Sequence, residues 1–213
     1  MKTVLYLVRH GESEGNAVRS FLGHTNLDIT QKGHAQAECT AEYLKNVHAD
    51  VIYSSDLLRA YNTAKHTADK KGMEIIKNEK LREIDAGEWE NRLFEDLEKE
   101  YADSYHTWRN DVGNACPNGG ERVCDLQKRI VSELTKIAQE NEGRSVFIFT
   151  HATPIRTFKA YCDGKTVDEI KDVPWASNAS VSIAEYENGS FAMKEYSIDS
   201  FMDSLTTILP PNV

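Results

Sequence analysis

The sequence predicts an α/β fold: a three-layer α/β/α arrangement around a mostly parallel sheet, with a C-terminal hairpin closing one sheet edge and a helical lid inserted. Short continuous apolar runs at residues 4–8, 51–53 and 146–149 have the length and content of strands buried on both faces. Segments with apolar residues at helical spacing lie between and after them, the alternation expected of βαβ units. Near the end, Asn188-Gly189 separates two alternating stretches, the signal of a two-residue type I′ turn. The 213 residues, with no internal repeat and no low-complexity linker, suit a single domain over 1–213. A domain near this size buries roughly 70% of the surface its unfolded chain exposes.

In chain order, the first strand covers 4–8, and Thr30 is placed to cap a helix whose inner face reads Ala37, Ala41 and Leu44. After the strand at 51–53, Ser55 or Asp56 can cap a helix that turns Leu57, Tyr61, Ala64 and Ala68 inward. Residues 74–77 read as a further short strand. The clearest helix follows Gly119-Gly120, with Val123, Leu126, Ile130, Leu134 and Ile137 at steps of three, four, four and three. Residues 180–187 and 190–197 form the hairpin around Asn188-Gly189. The stretch 88–118 fits this scheme least. It carries Trp89, Phe94, Tyr101, Tyr105 and Trp108 among many charges, reads as the helical lid within the domain, and its aromatics read as core before substrate platform. The tail from 201 to 213, with Pro210-Pro211, is left between ordering over the site and fraying.

Charge narrows the partners. Lys and Arg number 25 against 34 Asp and Glu, a formal net charge of −9, which argues against nucleic acid and against anionic membranes. A small anionic ligand stays compatible, because screening over ~8 Å lets a local basic pocket outweigh a distant acidic surface. No apolar run reaches membrane-spanning length, and Arg9 ends the first one short of a signal-peptide core. Cys39, Cys116, Cys124 and Cys162 form no C-x-x-C pair, which points to a reduced, cytoplasmic protein. There the acceptor patterns Asn178-Ala179-Ser180 and Asn188-Gly189-Ser190 carry no meaning. His24, His34, His48, His66 and His106 lack zinc-ligand spacing. Gly164-Lys165-Thr166 is not a phosphate-binding loop, since Lys159 stands at its first glycine position. Glu88 and Glu90 read most simply as a solvated charge cluster.

In open α/β sheets ligands bind beyond the carboxyl ends of the strands. Here the first strand runs into Arg9-His10-Gly11-Glu12-Ser13, the second into Ser54-Ser55-Asp56 with Arg59 just beyond, and the last into Thr150-His151-Ala152. Two histidines and two arginines thus converge on one rim of a parallel sheet. Phosphoryl transfer needs this set. Guanidinium forks match phosphate oxygens, and a neutral imidazole is a competent nucleophile towards phosphorus. The nearby cations disfavour imidazolium, and helix amino termini add N–H donors.

Leu7-Val8-Arg9-His10-Gly11-Glu12-Ser13, with Asn16, resembles the signature of the histidine phosphatase (phosphoglycerate mutase-like) superfamily. The resemblance continues through Gly23-His24-Thr25-Asn26-Leu27-Asp28-Ile29-Thr30 and Ser54-Ser55-Asp56-Leu57-Leu58-Arg59-Ala60. It then runs through Leu81-Arg82-Glu83-Ile84-Asp85-Ala86-Gly87-Glu88-Trp89-Glu90, Gly120-Glu121 and Thr150-His151. It implies that the whole chain is one histidine-phosphatase domain in which His10 becomes phosphorylated. Arg9, Arg59 and His151 then complete the phosphate pocket with Asn16 at its edge, and Gly23 and Ala152 contribute backbone. Glu83 acts as acid to the leaving oxygen and then as base to water, a role that requires partial protonation near neutral pH. Asp85 is the second choice for that acid. No metal or cofactor is implied, the arginines taking the cation's place.

The chain departs from the pattern at Gly15, where the family often has Trp, and at Ala152 and Asn91, where it commonly has Gly. A fourth departure is Arg122, where Ser is common. None removes a catalytic group. The leading reading is a metal-independent phosphatase hydrolysing small phosphomonoesters through a phosphohistidine. The alternative is a phosphoglycerate mutase, disfavoured because Glu83 is followed by Ile84-Asp85-Ala86-Gly87 where the resemblance to mutases calls for Arg-His-Tyr-Gly. A non-catalytic phosphate-binding protein of the same fold is disfavoured by the presence of both His10 and Glu83. The partner is a small phosphorylated metabolite of open identity, and oligomeric state is equally open, a homodimer included.

Overall fold

The computed structural model describes residues 1–207. In chain order the elements are β1 (Thr3–Arg9), α1 (Glu14–Val18), α2 (Gln31–Tyr43), β2 (Val51–Ser54), α3 (Leu58–Lys71) and β3 (Ile75–Lys77), followed by α4 (Phe94–Glu100) and α5 (Ala102–Asn110). The chain continues with α6 (Val123–Glu140), β4 (Ser145–Thr150), α7 (Ala152–Cys162), β5 (Val181–Glu187) and β6 (Ser190–Ile198). The six strands form one sheet in the order β3-β2-β4-β1-β5-β6. The first four run parallel, and β5 joins β1 antiparallel as the start of the edge hairpin. Asn188 and Gly189 take φ of 52° and 81°, as a type I′ turn requires.

The three apolar runs lie side by side as β2, β4 and β1, and their period-two alternation feeds a core on each face. Leu5, Leu7, Val146 and Ile148 face Val123, Leu126, Ile130, Leu134 and Ile137 of α6. Val8, Ile52, Phe147 and Phe149 face Leu44, Ala64 and Ala68 from the α2–α3 side. Helices therefore cover both faces of the sheet. The segment 88–118 carries the short helices α4 and α5. Its Trp89, Tyr105 and Trp108 are buried; Trp89 and Trp108 meet Phe21 edge-on, with Phe21–Trp108 centroids 4.8 Å apart, and Tyr105 meets Trp89 edge-on.

Local signals acted where the sequence placed them, with one exception. Thr30 caps α2, its hydroxyl accepting from the Gly33 N–H. At α3 neither Ser55 nor Asp56 is the cap residue; Leu57 is, with no side-chain cap bond. Asp56 is drawn away by Arg82, whose Nε donates to Oδ1 at 2.7 Å, and the Leu58 N–H goes to Asn26 Oδ1, also at 2.7 Å. The cap thus arrives from a distant loop, which no local window could show. Tyr61 is half-buried beneath Lys77. Residues 200–205 form a short 3₁₀ turn against α2, with Phe201 stacked on Tyr43 and Gln36 Nε2 donating to the Leu205 carbonyl. Residues 208–213, with Pro210-Pro211, lie outside the described residues. Among the described residues no helix is long and apolar enough to cross a membrane, and the four cysteines are free.

Candidate active site

The parallel strands end on one edge, and the ends of β1, β2 and β4, with the segments that follow them, bring Arg9 and His10, Arg59, and Ala152 to the same cleft. Six of the eight residues singled out from sequence, Arg9, His10, Asn16, Arg59, Glu83 and Ala152, line it. His151 sits fully buried behind them, its ring 5.2 Å from that of His10. Gly23 does not line the cleft; its N–H donates to Glu90 Oε2 and its carbonyl accepts from Arg59.

His10 leaves β1 with its main chain locked in place. Its N–H donates to the Thr150 carbonyl, and its own carbonyl accepts from Ala179 N–H and Asn178 Nδ2. Nδ1 lies 2.7 Å from the Gly11 carbonyl, an acceptor only, so Nδ1 carries the hydrogen and Nε2 keeps its lone pair. Gly11 is in turn tied to Thr63 Oγ1 at 2.9 Å. Burial first, then the Arg59 and Arg9 cations, hold His10 well below the ordinary histidine range. His151 is depressed likewise, by burial and then Arg59; its Nε2 meets Ser55 Oγ at 2.9 Å and its buried Nδ1 has no partner among the described residues.

The two arginines are both buried. Arg9 Nη1 donates to the Ala176 carbonyl at 2.6 Å, and Arg59 donates Nη2 to Gly23 O at 2.7 Å and Nη1 to Thr25 O at 2.9 Å. Burial pushes each guanidinium down to about 10, so both stay cationic at neutral pH. The Nε–H of each is buried without a protein partner among the described residues. Asn16 Oδ1 accepts from Ser13 N–H and from Asn178, which orients its side chain at the cleft edge. Glu83 is 6% exposed, and its carboxylate accepts from the Ile84 N–H at 2.8 Å and from Thr153 N–H in the first turn of α7 at 3.2 Å. Asp85, the second choice for an acid, is exposed and accepts from Gly87 N–H away from this set. The carbon-rich wall comprises Phe21, Leu22, Phe94, Trp108 and Trp175. Leu22 fills the space beside Gly15, against which any side chain at Gly15 would collide.

Sequence reasoning missed Ser55, Thr63, Trp175 and Asn178. Trp175 and Asn178 sit in the irregular connection between α7 and β5, where no periodicity marks a residue as functional. Glu90 is not a solvated charge: it is half-buried and turned onto residues 23–25.

An imidazole with a free Nε2, two buried guanidinium groups, a second imidazole and a buried carboxyl gather around one cleft at the strand ends of an α/β sheet. Residues 5–199 match the histidine phosphatase superfamily (branch 1), and the chain belongs to that superfamily and is a phosphoric monoester hydrolase of its type. It is 34% identical over 184 residues to phosphoserine phosphatase 1 of Hydrogenobacter thermophilus, covering 86% of each chain. It is also 29% identical to a 2,3-bisphosphoglycerate-dependent phosphoglycerate mutase of Mesorhizobium japonicum, over 92% of this chain and 98% of that one. Among solved structures, Bacillus stearothermophilus YhfR superposes with a TM-score of 0.90 at 30% identity, covering 93% of this chain and 98% of that one.

Proposed function

We propose that the protein hydrolyses small phosphomonoesters in two steps through a phosphohistidine at His10, without a metal ion. The observation that carries this reading is the 2.7 Å approach of His10 Nδ1 to the Gly11 carbonyl: it calls for the hydrogen on Nδ1 and leaves the lone pair of Nε2 available in a cleft that Arg9 and Arg59 also line. In the first step Nε2 attacks phosphorus and the ester oxygen leaves with a proton from Glu83. In the second, Glu83 takes a proton from water, the water oxygen attacks phosphorus, and His10 is released with inorganic phosphate. Arg9, Arg59, Asn16 and His151 surround the transferred group, whose negative charge matches the two guanidinium groups. The N–H donors that have no protein partner among the described residues, Arg9 Nε and Arg59 Nε, suit its oxygens.

Hydrolysis is favoured over mutase chemistry by the residues after Glu83. Ile84 and Ala86 are buried in the core, so this segment brings no cation to the cleft, and among the described residues Arg9 and Arg59 are the only Arg or Lys side chains that line it. That pair matches one phosphoryl group. Arg19 and Arg109 line a separate pocket that shares only Phe94 with the cleft. The substrate is a small phosphorylated metabolite, the location is cytoplasmic, and 88–118 forms a lid inserted in the single domain. Phosphorus NMR with a panel of small phosphomonoesters in EDTA tests the activity. Inorganic phosphate is the expected product; interconversion of phosphoglycerate isomers without free phosphate would make the protein a mutase.

A further inference from the structure

Arg59 is the buried cation whose aim the proposed chemistry most depends on, and its own helix does not set that aim. Two carbonyls outside the helix do: Gly23 O receives Nη2 and Thr25 O receives Nη1. Residues 23–25 belong to no helix or strand, so some other group must hold those carbonyls in place. That group is the Glu90 carboxylate. Oε2 accepts from Gly23 N–H at 3.2 Å, Thr25 N–H at 2.8 Å and Thr25 Oγ1 at 2.5 Å. Oε1 accepts from His24 N–H at 2.5 Å and Ala86 N–H at 3.2 Å. Three successive backbone N–H groups converging on one anion make a nest.

One peptide unit connects the two charges directly. The 23–24 peptide donates its N–H to Glu90 and accepts Arg59 Nη2 on its carbonyl, so anion and cation polarise opposite ends of the same dipole. The backbone approaches so closely that a side chain on Gly23 would collide with Glu90 Oε1 and with the Ile84 and Ala86 backbone. Glu90 also favours the charged form of the buried Arg59.

We propose that Glu90 is a positioning residue of the phosphoryl site: it fixes the 23–25 turn, and the turn's carbonyls aim the Arg59 guanidinium at the anion. This rests on Arg59 being a phosphate ligand, as proposed above. Glu90 does not line the cleft, so its effect must pass through Arg59.

The test is a double-mutant cycle read by calorimetric titration of inorganic phosphate into the full chain, with melting curves alongside. Glu90→Gln places an amide N–H₂ where one carboxylate oxygen receives N–H groups, so it should not rescue the site despite its shape. Phosphate affinity should fall about tenfold in Glu90→Gln, the order of one charge-assisted contact. In the Arg59→Ala background the same substitution should change affinity less than about twofold. Equal weakening in both backgrounds, or no weakening in the first, would overturn the proposal. If Glu90→Gln does not fold, Thr25→Val removes only the hydroxyl contact. It should weaken phosphate about threefold in the wild-type background alone, and unchanged affinity there overturns the proposal. Should Arg59→Ala itself bind phosphate as wild type does, the fault lies in the reading of the site, not in the role of Glu90.

Discussion

At the scale of single residues, the site buries its cations and imidazoles and fixes each side chain through at least one hydrogen bond. Arg59 spends Nη1 and Nη2 on the Thr25 and Gly23 carbonyls, so the guanidinium plane is set before any ligand arrives. In the proposed mechanism Arg59 meets a phosphoryl charge that is present in the bound ester and in the transition state alike. Arg59→Ala should therefore raise KM and lower kcat together, with kcat/KM down about a hundredfold or more. A steady-state titration showing a loss confined to KM would mean that Arg59 gathers substrate without stabilising transfer. That these residues meet was legible from the chain: His10, His151, Arg9 and Arg59 stand at predicted strand ends or one helical turn beyond. The place of Glu83 at the cleft was legible only through family resemblance, because it lies in an irregular segment with no period to mark it. Glu90 was misread for a physical reason. A carboxylate beside Trp89 among charges resembles a solvated face, and the N–H groups that make it structural come from 65 to 67 positions earlier in the chain.

At the scale of elements, the α6 pattern carried its buried face except Ala138, since an 18-residue amphipathic helix repeats its signal at every turn. The start of that helix is less well made. Arg122 is its cap residue, in extended geometry at φ −73° and ψ 140°, with no side-chain bond to the first turn. A basic side chain there also opposes the helix dipole. Arg122→Ser should stabilise the fold by about 1 kcal/mol, seen as a raised urea midpoint with unchanged slope. A midpoint that stays or falls would show that Arg122 has other work at this position. The α3 start was misjudged because a cap can be supplied across space, and here Asn26 supplies it from the same 23–28 stretch whose Gly23 and Thr25 carbonyls hold Arg59. That stretch therefore ties Arg59 and the amino terminus of its helix to one loop.

At the scale of the whole molecule, the parallel order β3-β2-β4-β1 turns three separate sequence motifs into one site, because parallel strands end on the same edge. Burial of two neutral histidines there has a cost that depends on pH. His10 and His151 both titrate well below the ordinary histidine range when folded. Below about pH 6.5 the unfolded chain binds protons that the folded site refuses, so stability falls as pH falls through this range. It should be flat with respect to these two groups above that value. The slope can reach about 1.4 kcal/mol per pH unit for each histidine. Urea titrations from pH 7.5 to 5.5 should show this decline, and His151→Asn should reduce its slope. A stability profile unchanged over that range would show that the two imidazoles accept protons freely in the folded protein.

The central claim, that His10 carries the phosphoryl group, is tested most directly by rapid quench into alkali with a phosphomonoester that the protein turns over, followed by mass spectrometry of the His10 peptide. Wild type should show an alkali-stable, acid-labile phosphoryl group on His10 that forms before inorganic phosphate is released, and His10→Ala should show neither the adduct nor turnover. Phosphate release at the wild-type rate from His10→Ala, or a phosphoryl group found on another residue, would contradict the account.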